Sequence, residues 1–240
     1  MRIANGVEML ELTAEMGQTN FFNATLIWDE QDVILVDAGL PNMQQVIQNK
    51  LEELGVPFAR LNKVIVTHHD MDHLGSLPNL IVAATQKIEV LAHESEKPYI
   101  EGTEHLLTKI EKSIVALPAE QQEQRRQAYL ARQTVVVDTV LIDGQELPFC
   151  GGIVVIHTPG HTPGHISLYH KQSKTVITGD STVAEEGKLL GPSPIFSVDL
   201  PEAIKSLKKL TNYDVEHVIC YHGGIVTENA NQQINDLQTL

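Results

Sequence analysis

Four short segments rich in His, Asp and Gly, each placed directly after a β-branched run, constrain this chain most. They are His68-His69-Asp70-Met71-Asp72-His73, Thr158-Pro159-Gly160-His161-Thr162-Pro163-Gly164-His165, Thr178-Gly179-Asp180 and Tyr221-His222-Gly223-Gly224. The runs before them, at 63–66, 153–157, 175–178 and 215–221, read as short buried strands. Loops at the carboxyl ends of strands are where α/β folds build their sites. Imidazoles and carboxylates converging from rigid elements are what a metal centre needs. Gly160, Gly164, Gly179 and Gly223 let the backbone turn sharply beside each of the last three clusters.

The rest of the chain supplies a scaffold for these loops. Residues 21–37 predict a hairpin, two apolar runs around a polar turn at 29–32. Met43, Val46, Ile47, Leu51 and Leu54 keep helical spacing over 42–54, and Gly55 stops it. Residues 74–86 read as helical and 88–92 as a strand. From 93 to 133 the chain is polar and helix-favouring, broken at Pro98, Gly102 and Pro118. It has too few apolar residues for its own core, so it reads as a helical insertion. The insertion, with its Arg125-Arg126, is expected to be a solvated helical lid that covers the active site. Strand character resumes from 135. Over 200–210, Asp199 can cap a helix, Pro201 suits its first turn, and Leu200, Ala203, Ile204, Leu207 and Leu210 form a stripe. The order of elements suggests two similar halves in one domain over 1–240. Covering both faces of two sheets gives a four-layer α/β arrangement.

Composition narrows the partners. The 240 residues are 42% hydrophobic and 20% charged, ordinary for a globular chain, so wholesale disorder is excluded. A net charge of −14 argues against polynucleotides and anionic membrane surfaces, which need a cationic footprint. No stretch approaches the roughly 18 apolar residues of a membrane span. The first 17 residues lack the pattern of a signal peptide. Cys150 and Cys220 sit outside any CxxC pair and read as reduced thiols. A cytoplasmic enzyme acting on a small molecule is the expectation.

The four clusters, in this order, resemble the metallo-β-lactamase fold superfamily of metal-dependent hydrolases. Its pattern is Thr-His-x-His-x-Asp-His, then a downstream His, a Gly-Asp and a final His. The resemblance runs from Val36-Asp37-Ala38-Gly39 to Tyr221-His222-Gly223. It implies an αββα sandwich with two divalent metal ions at one edge of two packed sheets. His68, Asp70 and His161 would hold the first ion. Asp72, His73 and His222 would hold the second, and Asp180 would bridge them. Position 70 is Asp where the family usually has His, with His69 beside it. The spacing from Thr67 and to Asp72-His73-Leu74-Gly75 holds without a gap, which favours Asp70 for the ligand slot and leaves His69 as the alternative. An extra hard oxygen donor moves preference toward manganese or iron relative to zinc, the usual metal of the family.

The resemblance implies a dinuclear site that activates water and polarises an ester, thioester or lactone of a small metabolite, with Asp72 and Asp180 as its catalytic carboxylates. Ser181, Thr182 and Val183 follow Asp180 where lactonases of the family often carry Tyr. The basic cluster that holds glutathione in the family's thioesterases has no counterpart. A redox reading stays open, because the superfamily's diiron oxygen and nitric oxide reductases place a carboxylate in the slot of Asp70. So does a small-molecule phosphodiesterase. Asp37, Thr67 and Thr158 are candidates by position to hold the imidazoles, and His157 and His165 flank one. His93, His105, His170 and His217 read as ordinary surface or core residues. Trp28 reads as packing, and Phe21, Phe22, Tyr99 and Phe196 as core or loop anchors.

Overall fold

A computed structural model describes residues 1–15 and 19–239. Seven strands form the first sheet in sequence order: β1 (Arg2–Ala4), β2 (Val7–Glu15), β3 (Thr19–Trp28), β4 (Val33–Val36), β5 (Lys63–Ile65), β6 (Glu89–His93) and β7 (Thr139–Leu141). Pairing is antiparallel up to β4 and parallel from β4 to β7. The second sheet contains β8 (Glu146–Leu147), β9 (Ile153–His157), β10 (Ile166–His170) and β11 (Thr175–Ile177). After a two-stranded ribbon, β12 (Val183–Glu185) with β13 (Lys188–Leu190), it adds β14 (His217–Cys220) and β15 (Gly224–Val226). Its order is β15-β14-β11-β10-β9-β8, and β14 runs parallel to β11.

Strand alternation explains the layers. Successive side chains of a strand point to opposite faces. In β4, Ile34 and Val36 face the second sheet, while Val33 and Leu35 face outward. The inner faces meet through Ile34, Val36, Ile65 and Leu91 on one side and Val155, Ile166, Leu168, Ile177 and Ile219 on the other. Outward, the first sheet is covered by α1 (Gln44–Glu53) and the segment carrying α2 (Met71–Leu74) and α3 (Leu77–Ala83). Ile47, Leu51, Leu77 and Leu80 bury against it. The second sheet is covered by a helical run from Leu200 to Asn212 and by a C-terminal helix over 230–236. The result is the expected αββα sandwich.

Between β6 and β7 lie α4 (Lys97–Ile100), α5 (Leu107–Ile114) and α6 (Ala119–Leu130), within the polar stretch read as an insertion. The strand expected from 135 is shorter than its Val-rich sequence. Val135 and Val137 are buried, but pairing begins only at Thr139. The reason is competition for the backbone. The Val137 N–H donates to Glu101 at 2.9 Å, and its carbonyl accepts from Lys97 Nζ at 2.9 Å. The Asp199 cap forms as expected, its carboxylate accepting from the Glu202 N–H at 3.0 Å.

Candidate metal centre

Six strand ends converge on one edge of the sandwich. β4, β5 and β6 deliver Asp37, the loop 67–73 and Glu96. β9, β11 and β14 deliver His161, Asp180 and His222. Three overlapping groups bring ligand-type atoms within 4.8 Å of one another: His68 with Asp70 and His161, Asp72 with His73 and His222, and His68 with His73 and Asp180. All seven residues expected from the sequence are therefore together. Asp180 stands between the first two groups. Its Oδ2 lies 3.4 Å from His161 Nε2, 4.0 Å from His68 Nε2 and 3.5 Å from His222 Nε2, and its Oδ1 lies 3.1 Å from His73 Nε2.

The imidazoles are held so that one nitrogen of each of two rings is left for the centre. Thr67 Oγ1 donates to Asp37 at 2.8 Å, so it accepts from His68 Nδ1 at 3.0 Å. Asp37 also accepts from His73 Nδ1 at 2.8 Å and from the Thr67 N–H at 2.8 Å. Those contacts fix both tautomers and turn His68 Nε2 and His73 Nε2 inward. Both nitrogens, with Asp180 Oδ1, are buried and make no hydrogen bond. Buried polar atoms rarely go unpaired, so this inward-facing set fits a divalent cation. Asp37 adopts φ +63°, a left-handed conformation that costs a non-glycine residue about 1 kcal/mol. Three hydrogen bonds over-determine it there.

Further support comes from the loops. His165 accepts the Asp180 N–H on Nε2 at 3.0 Å and reaches Thr158 Oγ1 with Nδ1 at 2.9 Å. Thr158 therefore orients His165, not His161, and His165 orients Asp180. Gly179 has φ +52°, and a Cβ there would stand 2.7 Å from His165 Nε2. His157 Nε2 donates to the Pro163 carbonyl at 2.9 Å, and the ring stacks on His93 with centroids 3.9 Å apart. Tyr221 covers His73, centroids 3.7 Å apart, and its hydroxyl donates to the Asp72 carbonyl. Phe22 is buried and meets His222 edge-on at 5.7 Å.

His69 turns away from this cluster. Its backbone N–H donates to Glu96 Oε1 at 2.9 Å, and its ring Nδ1 donates to the same oxygen. The ring stacks on Tyr99 at 5.1 Å. Glu96 Oε2 accepts from Thr162 Oγ1 at 2.9 Å and from the Gly164 N–H at 2.8 Å. One fully buried carboxylate thus ties the loop of Asp70 to the loop of His161. Sequence reasoning did not find Glu96, although it follows a third parallel strand. Nor did it find Lys109, whose Nζ donates to Asp70 Oδ2 and to His161 Nε2, the latter at 2.8 Å. Nothing in the local sequence of α5 distinguishes that lysine from a solvated one.

The electrostatics follow from this crowding. Burial alone would raise the carboxyl of Asp70, but the Lys109 ammonium beside it holds it well below the usual range. Asp180, likewise opposed by burial, is held low by His73 and His222. Burial and the neighbouring His73 push His68 down, so its imidazole is neutral and able to ligate. Burial works against the charge on His222, yet Asp180 and Asp72 lift it to about 10.

A family model described as the metallo-beta-lactamase superfamily matches residues 20–222. The chain belongs to this superfamily. A relative named "Probable metallo-hydrolase YflN" from Bacillus subtilis is 26% identical over 226 residues, covering 88% of this chain and 82% of that protein. A hydroxyacylglutathione hydrolase from Mesorhizobium japonicum is 30% identical over 147 residues, covering 61% of this chain and 42% of the relative. Among solved structures, the superfamily protein TTHA1429 from Thermus thermophilus matches with a TM-score of 0.76 at 22% identity, over 99% of this chain and 80% of that one. TTHA1623, solved in a di-iron-bound form, matches with a TM-score of 0.62 at 24% identity, over 91% and 94% of the two chains. As a metallo-β-lactamase superfamily member, the chain has candidate His/Asp metal groups and the αββα fold of its neighbours. No helix among the described residues is long and apolar enough to cross a membrane.

Proposed function

We propose that the protein is a dinuclear metal-dependent hydrolase of a small metabolite carrying an ester, thioester or lactone. The position of Asp180, in reach of imidazoles from both groups, carries this reading. His68, Asp70 and His161 would hold one ion, Asp72, His73 and His222 the other, and Asp180 both. Two such ions lower the pKa of bound water to near 7 and polarise the scissile carbonyl. The chain's own part is to fix this set. Asp37 and Thr67 hold the tautomers of His73 and His68, His165 orients Asp180, and Glu96 sets the spacing of the two main loops. The relatives named hydroxyacylglutathione hydrolases favour a thioester among the candidate substrates.

The deciding experiment is metal analysis of fresh protein, then a panel of thioester, lactone, aryl ester and phosphodiester substrates. Two metal equivalents and turnover of one acyl class are expected. Asp180→Asn should keep the fold and lose turnover, and retained turnover would overturn the assignment. The carboxylate of Asp70 within the first group supports a second, redox reading. Iron in place of other metals, with oxygen consumption from an artificial donor and no hydrolysis, would establish it instead.

A further inference from the structure

The first metal position contains a cation of the chain's own. Lys109 projects from α5, is 6% exposed, and places its ammonium on Asp70 and His161. Asp70 Oδ2 is in turn 3.3 Å from His68 Nε2 and 3.2 Å from His161 Nε2. The ammonium thus contacts two of the three residues proposed above for the first ion. It has no contact of this kind with Asp72, His73 or His222 among the described residues.

The contact with His161 cannot coexist with metal ligation. A neutral imidazole offers one lone pair, and here it faces Lys109. A metal ion needs that same lone pair at about 2.0–2.1 Å. A divalent ion so close to an ammonium also adds like-charge repulsion in a poorly solvated site. Meanwhile α5 is fastened by two of its side chains and by the residue before it. Lys112 Nζ donates to the Ser197 carbonyl at 2.6 Å, the Leu106 N–H donates to the Tyr129 hydroxyl at 3.0 Å, and Arg126 of α6 pairs with Glu111 at 2.6 Å. Lys109 is therefore held within reach of the first position and has no equivalent reach to the second.

We propose that the Lys109 ammonium and a divalent ion are alternative occupants of the His68–Asp70–His161 position. Lys109 then sets the loading order. The Asp72–His73–His222 position fills first, and the other fills only as Lys109 withdraws. This rests on the metal-centre reading above. It also gives Asp70 a role in the metal-free protein, where a carboxylate in place of the family's usual imidazole is an effective partner for an ammonium.

The test is a titration of metal-free protein with Zn²⁺ and, separately, Mn²⁺, followed by calorimetry. Wild type should bind two equivalents with separated affinities. Lys109→Met should tighten the weaker one at least about tenfold, equivalent to about 1.4 kcal/mol. The stronger one should stay within about twofold. A second measurement needs no variant. Acetylation of the Lys109 amine, read by mass spectrometry, should stay low through the first equivalent and rise with the second. Equal affinities for the second equivalent in wild type and Lys109→Met, or acetylation of Lys109 indifferent to metal, would overturn this inference alone. Absence of any divalent-ion binding would overturn it together with the metal-dependent reading.

Discussion

Glu96 takes both the backbone N–H and the ring Nδ1–H of His69 on one carboxylate oxygen. That pairing turns the imidazole out of the cluster and leaves the adjacent Asp70 to face it. Burial would raise the Glu96 carboxyl, but His69 and its other donors hold it below the usual range, so it stays an acceptor. The local backbone agrees, since Asp70 is extended and begins α2 directly.

Exchanging which neighbour is removed separates the two roles. Asp70→Ala should lose one metal equivalent, whereas His69→Ala should retain both. Elemental analysis after gel filtration reads this directly. The reverse pattern would mean that His69 is the ligand and that Glu96 holds it only without metal.

Glu96→Ala leaves four buried donors without their acceptor. Unsatisfied buried groups cost about 1–3 kcal/mol each before relaxation and water entry, so a net loss of about 3 kcal/mol is expected. Urea denaturation of the metal-free protein measures it. Metal affinity should fall about 10- to 100-fold, as for other groups that orient ligands. Unchanged stability and affinity would show that the two loops are fixed by other contacts.

Stability of the metal-free protein should fall with rising pH. The His222 imidazole is raised to about 10 from an ordinary value near 6.5, burial opposing the shift and Asp180 driving it. A group raised in the folded state contributes fully below its unfolded value, and that contribution is lost as pH climbs toward about 10. Metal affinity should rise over the same window, because ligation needs the neutral ring. Thermal melts from about pH 6 to about pH 10 should slope less for His222→Gln than for wild type. Parallel slopes would count against the assignment.

Cys150 and Cys220 are free and buried. Burial pushes the Cys150 thiol up to about 12 and the Cys220 thiol up to about 11. Thiolate is the reactive form, so neither should react with Ellman's reagent in the native protein at about pH 8, and both should in guanidinium. Fast native reaction of either would contradict its buried setting.

Chelation should lower the melting temperature, and added metal should restore it. A ligand that binds only the folded state stabilises it by about 4 kcal/mol at a free concentration about 1,000 times its Kd. Differential scanning calorimetry with graded Zn²⁺ checks the concentration dependence. A melting temperature indifferent to chelator would argue against a built metal centre.

Which His- and Asp-bearing segments gather at the site was legible in the sequence, because each segment follows a strand, but the choice between His69 and Asp70 was not. Asp37 and Thr67 were legible for the same reason. The hairpin and the capped helix after Asp199 also follow from local chemistry: Asp29 accepts from the backbone of its own turn, and Asp199 from that of Glu202. The β2 strand was not legible, since its apolar residues are fixed by pairing with β3 rather than by a clean alternation of their own. The partial unpairing near Val137 depends on Lys97 and Glu101, far away in sequence. Tertiary structure alone decided that Thr158 serves His165, that Glu96 withdraws His69, and that Lys109 stands among the ligand-type groups. Residues Lys109 and Asp70 are 39 positions apart, and Glu96 and Gly164 are 68. Sequence periodicity reports which face of an element is buried. It does not report which charged side chain from a distant loop will meet that face, because that depends on how the chain closes around the core.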